Sequence, residues 1–342
     1  MGYREYLLKK LVYAAITLWA IATLNFFIYR LLGNPLQMIM ARAPKHGYEA
    51  MIKRYKELWG LDKPVHVQYG IYIWRMLTWP FYVAFLGDYS AIGESTVLAF
   101  GRPIASMIAE RVGWTFLLFG TASAITMTLG IILGLYAARR RGSLFDRGII
   151  FSGLVGYSFA SWWVGMVLIY IFAYLIPVLP PGGYHSVPPP KEPLDFALDV
   201  AYHMVLPVSS IVLVAFGGWA LVVRNILIDV FTEDYILVAR AKGLPERTIV
   251  FKHALRSAAP PIVTMVGLSV PFIFLGGVIT ETVFSWPGIG MLYWNAINAR
   301  DFPILEALLY ICALFFVLTM VLVDLIYGFL DPRIRVGARV GG

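Results

Sequence analysis

The residues able to do covalent chemistry are few in this chain and poorly spaced for it. Five histidines, His46, His66, His185, His203 and His253, are scattered without metal-ligand spacing. There is no Gly-x-Ser-x-Gly elbow to expose a nucleophile and no His-Glu-x-x-His helix to hold a zinc-bound water. No Gly-rich loop ends in Gly-Lys-Ser/Thr, so the chain cannot cradle a nucleotide phosphate by a P-loop. Its one thiol, Cys312, lies in an apolar run and has no second cysteine to pair with. The expectation is a protein that is not an enzyme and holds no metal or cofactor of its own. The acids Glu281 and Asp324 fall near the ends of apolar segments, where solvation at a helix end is the expected role.

What remains is the chemistry of recognition, concentrated in residues 232–259. Thr232 is expected to N-cap a helix, with Glu233 and Asp234 in the first turn, where acids complement the dipole. Ala239-Arg240-Ala241-Lys242 continue it with bases in the last turn, and Gly243 is a natural stop. Pro245, then Glu246, fit the first turn of a second helix, which is expected to end before Pro260-Pro261. A merely solvated loop has no use for Ile249, Val250 and Phe251. They either pack on the chain's own helix ends or belong to a knob that docks a partner.

The surroundings of this stretch are membranous. Of 342 residues, 59% are hydrophobic and only 14% charged, and mean hydropathy is +0.73. That excludes a disordered chain and an ordinary cytosolic enzyme. Six apolar segments are long enough to cross a bilayer: 11–32, 114–138, 149–179, 204–223, 262–283 and 304–330. Gly130-x-x-x-Gly134 could let two helices approach closely, or could be chance. The first segment, though preceded by Lys9 and Lys10, is about twice the length of a signal-peptide core, and reads as a retained helix with Arg30 snorkelling at its outer end.

Orientation follows from the bases. Arg4, Lys9 and Lys10; Arg139, Arg140, Arg141 and Arg147; the stretch from Arg224 to Arg256; and Arg333, Arg335 and Arg339 all fall on one side. The opposite short loops carry only Lys191 and Arg300. The net charge of +8 is thus membrane topology, and both termini are expected in the cytoplasm. The chain divides into a cytoplasmic N-terminus and first helix (1–32), a long external segment (33–113), a five-helix core (114–335) carrying a cytoplasmic loop (224–261), and a tail (336–342). Residues 48–58 have helical character, and the Pro-rich stretch 177–193 is expected to be an ordered, irregular external loop. Trp286, Tyr293 and Trp294 suit an interfacial aromatic belt. Tyr157, Trp162 and Trp163 in the third span, and Trp219 beside a Gly217-Gly218 break in the fourth, are candidates for a translocation path or for simple packing.

Four blocks carry a resemblance: EDYILVARAKGLPERTIVFKHALRSAAPP (233–261), ETVFSWPGIG (281–290), ARDFP (299–303) and DLIYGFLDPRIR (324–335). Together they resemble the dipeptide/oligopeptide (Dpp/Opp) permeases of ABC importers, and the first block resembles their cytoplasmic EAA loop. The long first external segment is similar to that of the B-type subunit. Aligned on Gly243, Leu237 stands where the general motif has Glu. The resemblance implies an all-α polytopic membrane protein of type I ABC-importer permease architecture, multi-pass in the cell (cytoplasmic) membrane. It implies a translocation path for di- or oligopeptides or, in the same family, oligosaccharides; a nickel or other small-solute importer and a secondary transporter are the alternatives. The implied partners are a second homologous permease, two cytoplasmic ATPase subunits holding ATP and Mg, and an extracytoplasmic binding protein. Glu233, Asp234, Ala239, Arg240, Ala241, Lys242, Gly243, Leu244 and Pro245 would make the ATPase-coupling contact, with the two alanines and the glycine permitting close approach.

Overall fold

A computed structural model describes residues 3–32, 53, 56–57, 60, 62–99 and 101–330. Of the expected helix at 48–58 only Lys53, Lys56 and Glu57 are described, all three helical, and the tail 336–342 and the end of the block 324–335 lie outside the described residues. Among the described residues everything regular is helical, apart from one isolated bridge between Glu94 and Pro103. Five helices are long and apolar enough to cross a membrane, and a sharply bent pair makes up to six. This is the all-α, multi-span architecture that the apolar segments predict.

The chain divides into two units, 1–114 with 288–342 and 115–287. In the first, α1 (Tyr3–Leu32) packs on α2 (Val65–Phe81) and on α11 (Phe302–Leu330), with α10 (Ile289–Ala299) alongside. Phe26, Tyr72, Met76, Ile104, Leu292 and Leu308 are among the buried side chains of its core. Polar pins set the register. The Asn25 amide donates to the Tyr72 hydroxyl and to the Glu306 carbonyl, 2.9 Å each. Arg30 does not simply snorkel, because its guanidinium donates to the Gln68 side chain on α2 and lies over the Phe26 ring.

The second unit is built on α6 (Pro193–Phe231), a continuous helix of 39 residues. Gly217-Gly218 does not break it. The bare backbone there is the contact itself: a Cβ on Gly217 would stand 2.6 Å from the Ser152 carbonyl carbon, and one on Gly156 would stand 2.3 Å from the Val214 carbonyl oxygen. These glycines let α4 (Leu144–Ser158) lie backbone to backbone with α6. Gly130 and Gly134, on α3 (Ile104–Arg139), do the same: a Cβ on either would fall within 2.6 Å of Trp219 or Ala220. The pair is therefore a helix contact and not chance.

The third span departs from expectation. It is α4 joined to α5 (Ser161–Ile169) and a π-helical turn, Tyr170–Leu175, bent by 93°. Phe159 and Ala160 are both extended, and no Gly or Pro marks the break. The fifth span also moves. A turn at Glu246–Thr248, a π-helical stretch at Ile249–Ala254 and α8 (Leu255–Leu275) run on continuously through Pro260 and Pro261. Each proline removes one donor; the carbonyls left free belong to Arg256 and Ser257, exposed residues near the basic end of the helix where water can serve them. The helix stops at Gly276, whose φ of +66° is left-handed, and α9 (Val278–Val283) is separate.

Two polar readings change as well. Glu281 is not solvated at a helix end but fully buried, accepting a hydrogen bond from the Thr115 hydroxyl at 2.9 Å. Trp286 is no belt residue; it too is fully buried, and its backbone N–H closes the turn onto the Glu281 carbonyl. Tyr293 is half-buried and Trp294 exposed. The stretch between Leu175 and Pro193 is irregular, as its prolines require.

Candidate functional site

The stretch 232–259 forms a knob at the end of the second unit. In its projecting helix, α7 (Asp234–Ala241), the N-cap position is Glu233 and not Thr232, and the Glu233 side chain makes no capping hydrogen bond. Thr232 closes α6 instead, its hydroxyl donating to the Asp229 carbonyl at 2.7 Å. Asp234 in the first turn and Arg240 in the last complement the dipole of this short element.

The far end is a Schellman turn. Gly243 adopts φ +73°, its N–H bonds the Arg240 carbonyl at 2.9 Å, and the Leu244 N–H reaches back to the Ala239 carbonyl at 3.3 Å. Pro245 caps the returning helix from outside, and Glu246 occupies its first position. Arg240 and Glu246 face each other across the turn at 3.4 Å. Both are about half exposed, so the pair contributes little stability.

The knob has two faces. Inward, Ile236 and Ala239 pack with Val223 and Leu227 of α6, with Ile249 and Ala254 of the returning helix, and with Ala138 of α3. Ile236 is wholly buried and Ala239 nearly so. Ala239 therefore faces the chain's own core, while Ala241, Lys242, Gly243, Leu244 and Pro245 are exposed together with Glu233, Asp234 and Arg240. Outward, Tyr235, Leu237, Val238, Leu244 and Phe251 are exposed, Leu237 by 53% and Phe251 by 58%. Of the three apolar residues of the returning helix, Ile249 and Val250 are buried and Phe251 is exposed. Tyr235, Leu237 and Val238 escaped the sequence reading because the alternation along α7 becomes visible only once the buried face is known.

An ion pair braces the base of the knob. Asp146, at the start of α4, takes the Arg224 guanidinium in a two-pronged contact, Nε to Oδ1 at 2.7 Å and Nη2 to Oδ2 at 2.9 Å. Its Oδ2 also accepts the Gly142 N–H at 2.8 Å, and its own N–H bonds the Ser143 hydroxyl that caps α4. The sequence gives Arg224 away only as one more topogenic base, and Asp146 not at all.

The aromatic candidates of the second unit do not converge. Tyr157 is exposed, with its ring against Gly218. Trp163 stacks on Phe159 at 5.1 Å, and Trp162 is half-buried. Trp219, also half-buried, packs on Gly130. A shallow apolar groove of about 270 Å³ beside the bend is lined by Phe151, Val155, Phe159 and Phe216 among others, and by none of these four. Among the described residues, no three of His, Cys, Asp and Glu converge to hold a metal ion.

Two further acids went unread. Asp301 is fully buried in the first unit, taking the Ser95 and Thr96 hydroxyls and the N–H groups of Thr96, Val97 and Leu98. Glu306, one turn into α11, is half-buried within a span. The first was quoted in a motif without a role, because its partners lie some 200 residues upstream.

Residues 130–336 match the model of a family described as "Binding-protein-dependent transport system inner membrane component". The chain is 33% identical over 349 residues to the "Dipeptide transport system permease protein DppB" of Escherichia coli (strain K12), covering 97% of this chain and 98% of that one. It is 29% identical over 332 residues to the "Oligopeptide transport system permease protein AppB" of Bacillus subtilis (strain 168), covering 96% and 99%. A "Di/tripeptide transport system permease protein DppB" of Pseudomonas aeruginosa (strain UCBPP-PA14) is 32% identical, covering 93% and 95%. With its several apolar spans and a match over most of its length, the chain belongs to the family of binding-protein-dependent transport system inner membrane components, as a multi-pass permease.

Proposed function

We propose that this chain is the transmembrane permease subunit of an ABC importer for di- and oligopeptides, powered by ATP hydrolysis on partner subunits. The observation that carries the reading is the two-faced knob. An element anchored inward by Ile236 and Ala239, yet showing Tyr235, Leu237, Val238, Leu244 and Phe251 outward, is built to be covered by another protein. In this reading the knob end is cytoplasmic, in keeping with the bases around it. One of two ATPase subunits, holding ATP and Mg, receives α7. Glu233, Asp234, Arg240 and Lys242 supply rim charges, Gly243, Leu244 and Pro245 shape the tip, Ala241 permits close approach, and Ala239 holds the knob from behind. A second homologous permease completes the path, and an extracytoplasmic binding protein delivers substrate. Peptide is the preferred cargo because the relatives' names specify peptides.

The test is co-purification. The tagged chain, expressed with its neighbouring transport subunits, should retain both ATPases in mild detergent, and Leu237→Asp with Val238→Asp should cut their recovery at least tenfold without lowering the permease's own melting temperature. Full recovery of ATPase with the double variant sinks the docking assignment.

A further inference from the structure

We propose that Asp146 and Arg224 are positioning residues that make α4 and α6 move as one body with the knob, so that the pair sets how much transport each ATP hydrolysis drives. The proposal rests on the docking reading above.

The geometry points to a transmission joint more than to a surface ion pair. Arg224 stands seven residues before the end of α6, one residue after Val223 and three before Leu227, the fully buried α6 side chains in the core that the knob shares. Asp146 stands in the first turn of α4, the first arm of the sharply bent span. Both carboxylate oxygens are engaged by a planar fork at 2.7 and 2.9 Å, and the two side chains are only 3% and 15% exposed. A two-pronged contact fixes orientation as well as distance, which a single ammonium contact does not. The aspartate is itself immobilised by the Gly142 N–H, and the arginine by the Asn225 side-chain oxygen at 2.9 Å. Behind the pair, α4 and α6 touch backbone to backbone at Gly153, Gly156 and Gly217. Glycine contacts are close but smooth, and allow one helix to slide along the other. The ion pair at this end resists such sliding.

A push on α7 therefore reaches α6 through Leu227 and Val223, and reaches α4 through Arg224 and Asp146. Without the pair, α6 can still follow the knob while α4 lags, and ATP is spent without moving the bent span.

The experiment uses the whole reconstituted complex in proteoliposomes, supplied with a defined mixture of di- to pentapeptides and read by mass spectrometry. Asp146→Ala, Arg224→Ala, the double variant and Arg224→Lys are compared in peptide taken up per ATP hydrolysed and in ATPase subunits recovered. The expected result is at least a fivefold fall in uptake per ATP for each alanine variant, with recovery and hydrolysis within twofold of wild type. The double variant should be no worse than either single, and Arg224→Lys, which keeps charge but loses the fork, should fall between. Unchanged uptake per ATP with normal recovery overturns the proposal. So does a proportional fall in recovery, hydrolysis and uptake, which marks the pair as merely structural. So does additive loss in the double variant, which denies that the two act as a pair. Failure of the docking reading is separate, because it shows as undiminished ATPase recovery in the Leu237→Asp, Val238→Asp protein, whatever the Asp146 variants do.

Discussion

Gly156 offers a quantitative check on how the second unit is packed. A Cβ there would stand 2.3 Å from the Val214 carbonyl oxygen of α6, so the helices would have to part by about 1.1 Å to reach the 3.4 Å at which ordinary contact begins. Neither backbone can yield as a flexible side chain would. Overpacking of this kind costs about 1–3 kcal/mol. Alanine also gains about 0.5–1 kcal/mol over glycine in a helix interior, which would mask part of the effect. Gly148 supplies the control: it lies in the same helix and has no atom within 4 Å of its notional Cβ. The propensity gain is common to Gly148→Ala and Gly156→Ala, so the difference between them isolates the steric cost. In lipid, close packing and not water expulsion holds helices together, so the loss has no hydrophobic compensation. Thermal unfolding of the purified protein, followed by tryptophan fluorescence at one scan rate, should place Gly156→Ala about 2–12 °C below Gly148→Ala, taking ~2–4 °C per kcal/mol for a chain of this order of size. A Gly156→Ala protein melting at or above Gly148→Ala would refute the backbone contact.

Two other outcomes follow from single sites. At Gly243 the constraint is conformational, since φ is +73° with nothing within 4 Å of its notional Cβ; Gly243→Asn and Gly243→Ala should cost no more than about 1–2 kcal/mol and keep the ATPases bound, whereas Gly243→Trp should abolish their recovery by occupying the docked face. Equal damage from Ala and Trp would contradict this. Asp301→Ala should strand the N–H groups of Thr96, Val97 and Leu98, each worth about 1–3 kcal/mol when left unsatisfied. Amide exchange at Val97 and Leu98 should then quicken by at least tenfold, and unchanged protection would show that Asp301 is not what holds this turn.

The sequence made the helices legible because lipid demands long apolar runs, and made the knob legible because capping and stop residues act locally. Asp234, Arg240 and Gly243 sit where a three-residue neighbourhood puts them. What escaped was non-local. The bend at Phe159-Ala160 carries no Gly or Pro, so only the packing of α4 and α5 on α6 accounts for it. Gly217-Gly218 looked like weakness and proved to be contact, because a glycine in a helix is a defect until a neighbour's backbone fills the gap. Pro260-Pro261 looked like a stop, yet exposed carbonyls on the basic end tolerate the missing donors. Asp146 pairs with a residue 78 positions away, and no spacing rule reaches that far.

In the docking role proposed above, the knob transmits no more free energy than its own packing withstands. Moving a two-state permease from one conformation at 1% to the same conformation at 99% takes about 5.5 kcal/mol of differential stabilisation. The larger aliphatic side chains on the inward side of the knob are Ile236, Ile249 and Val250, all essentially buried. An aliphatic side chain of this size contributes about 1.5–3 kcal/mol on full burial. Three of them match the demand without a wide margin. The inward face is aliphatic, and the small residues Ala138, Ala239, Ala254 and Ala258 surround it. Small side chains bring backbones close, and a close contact between backbones has few rotamers through which to yield. Larger residues would bury more area but would deform under load. The sequence thus gives the inward face stiffness and leaves the bulky groups, Tyr235, Leu237 and Phe251, on the outer face where a partner would cover them.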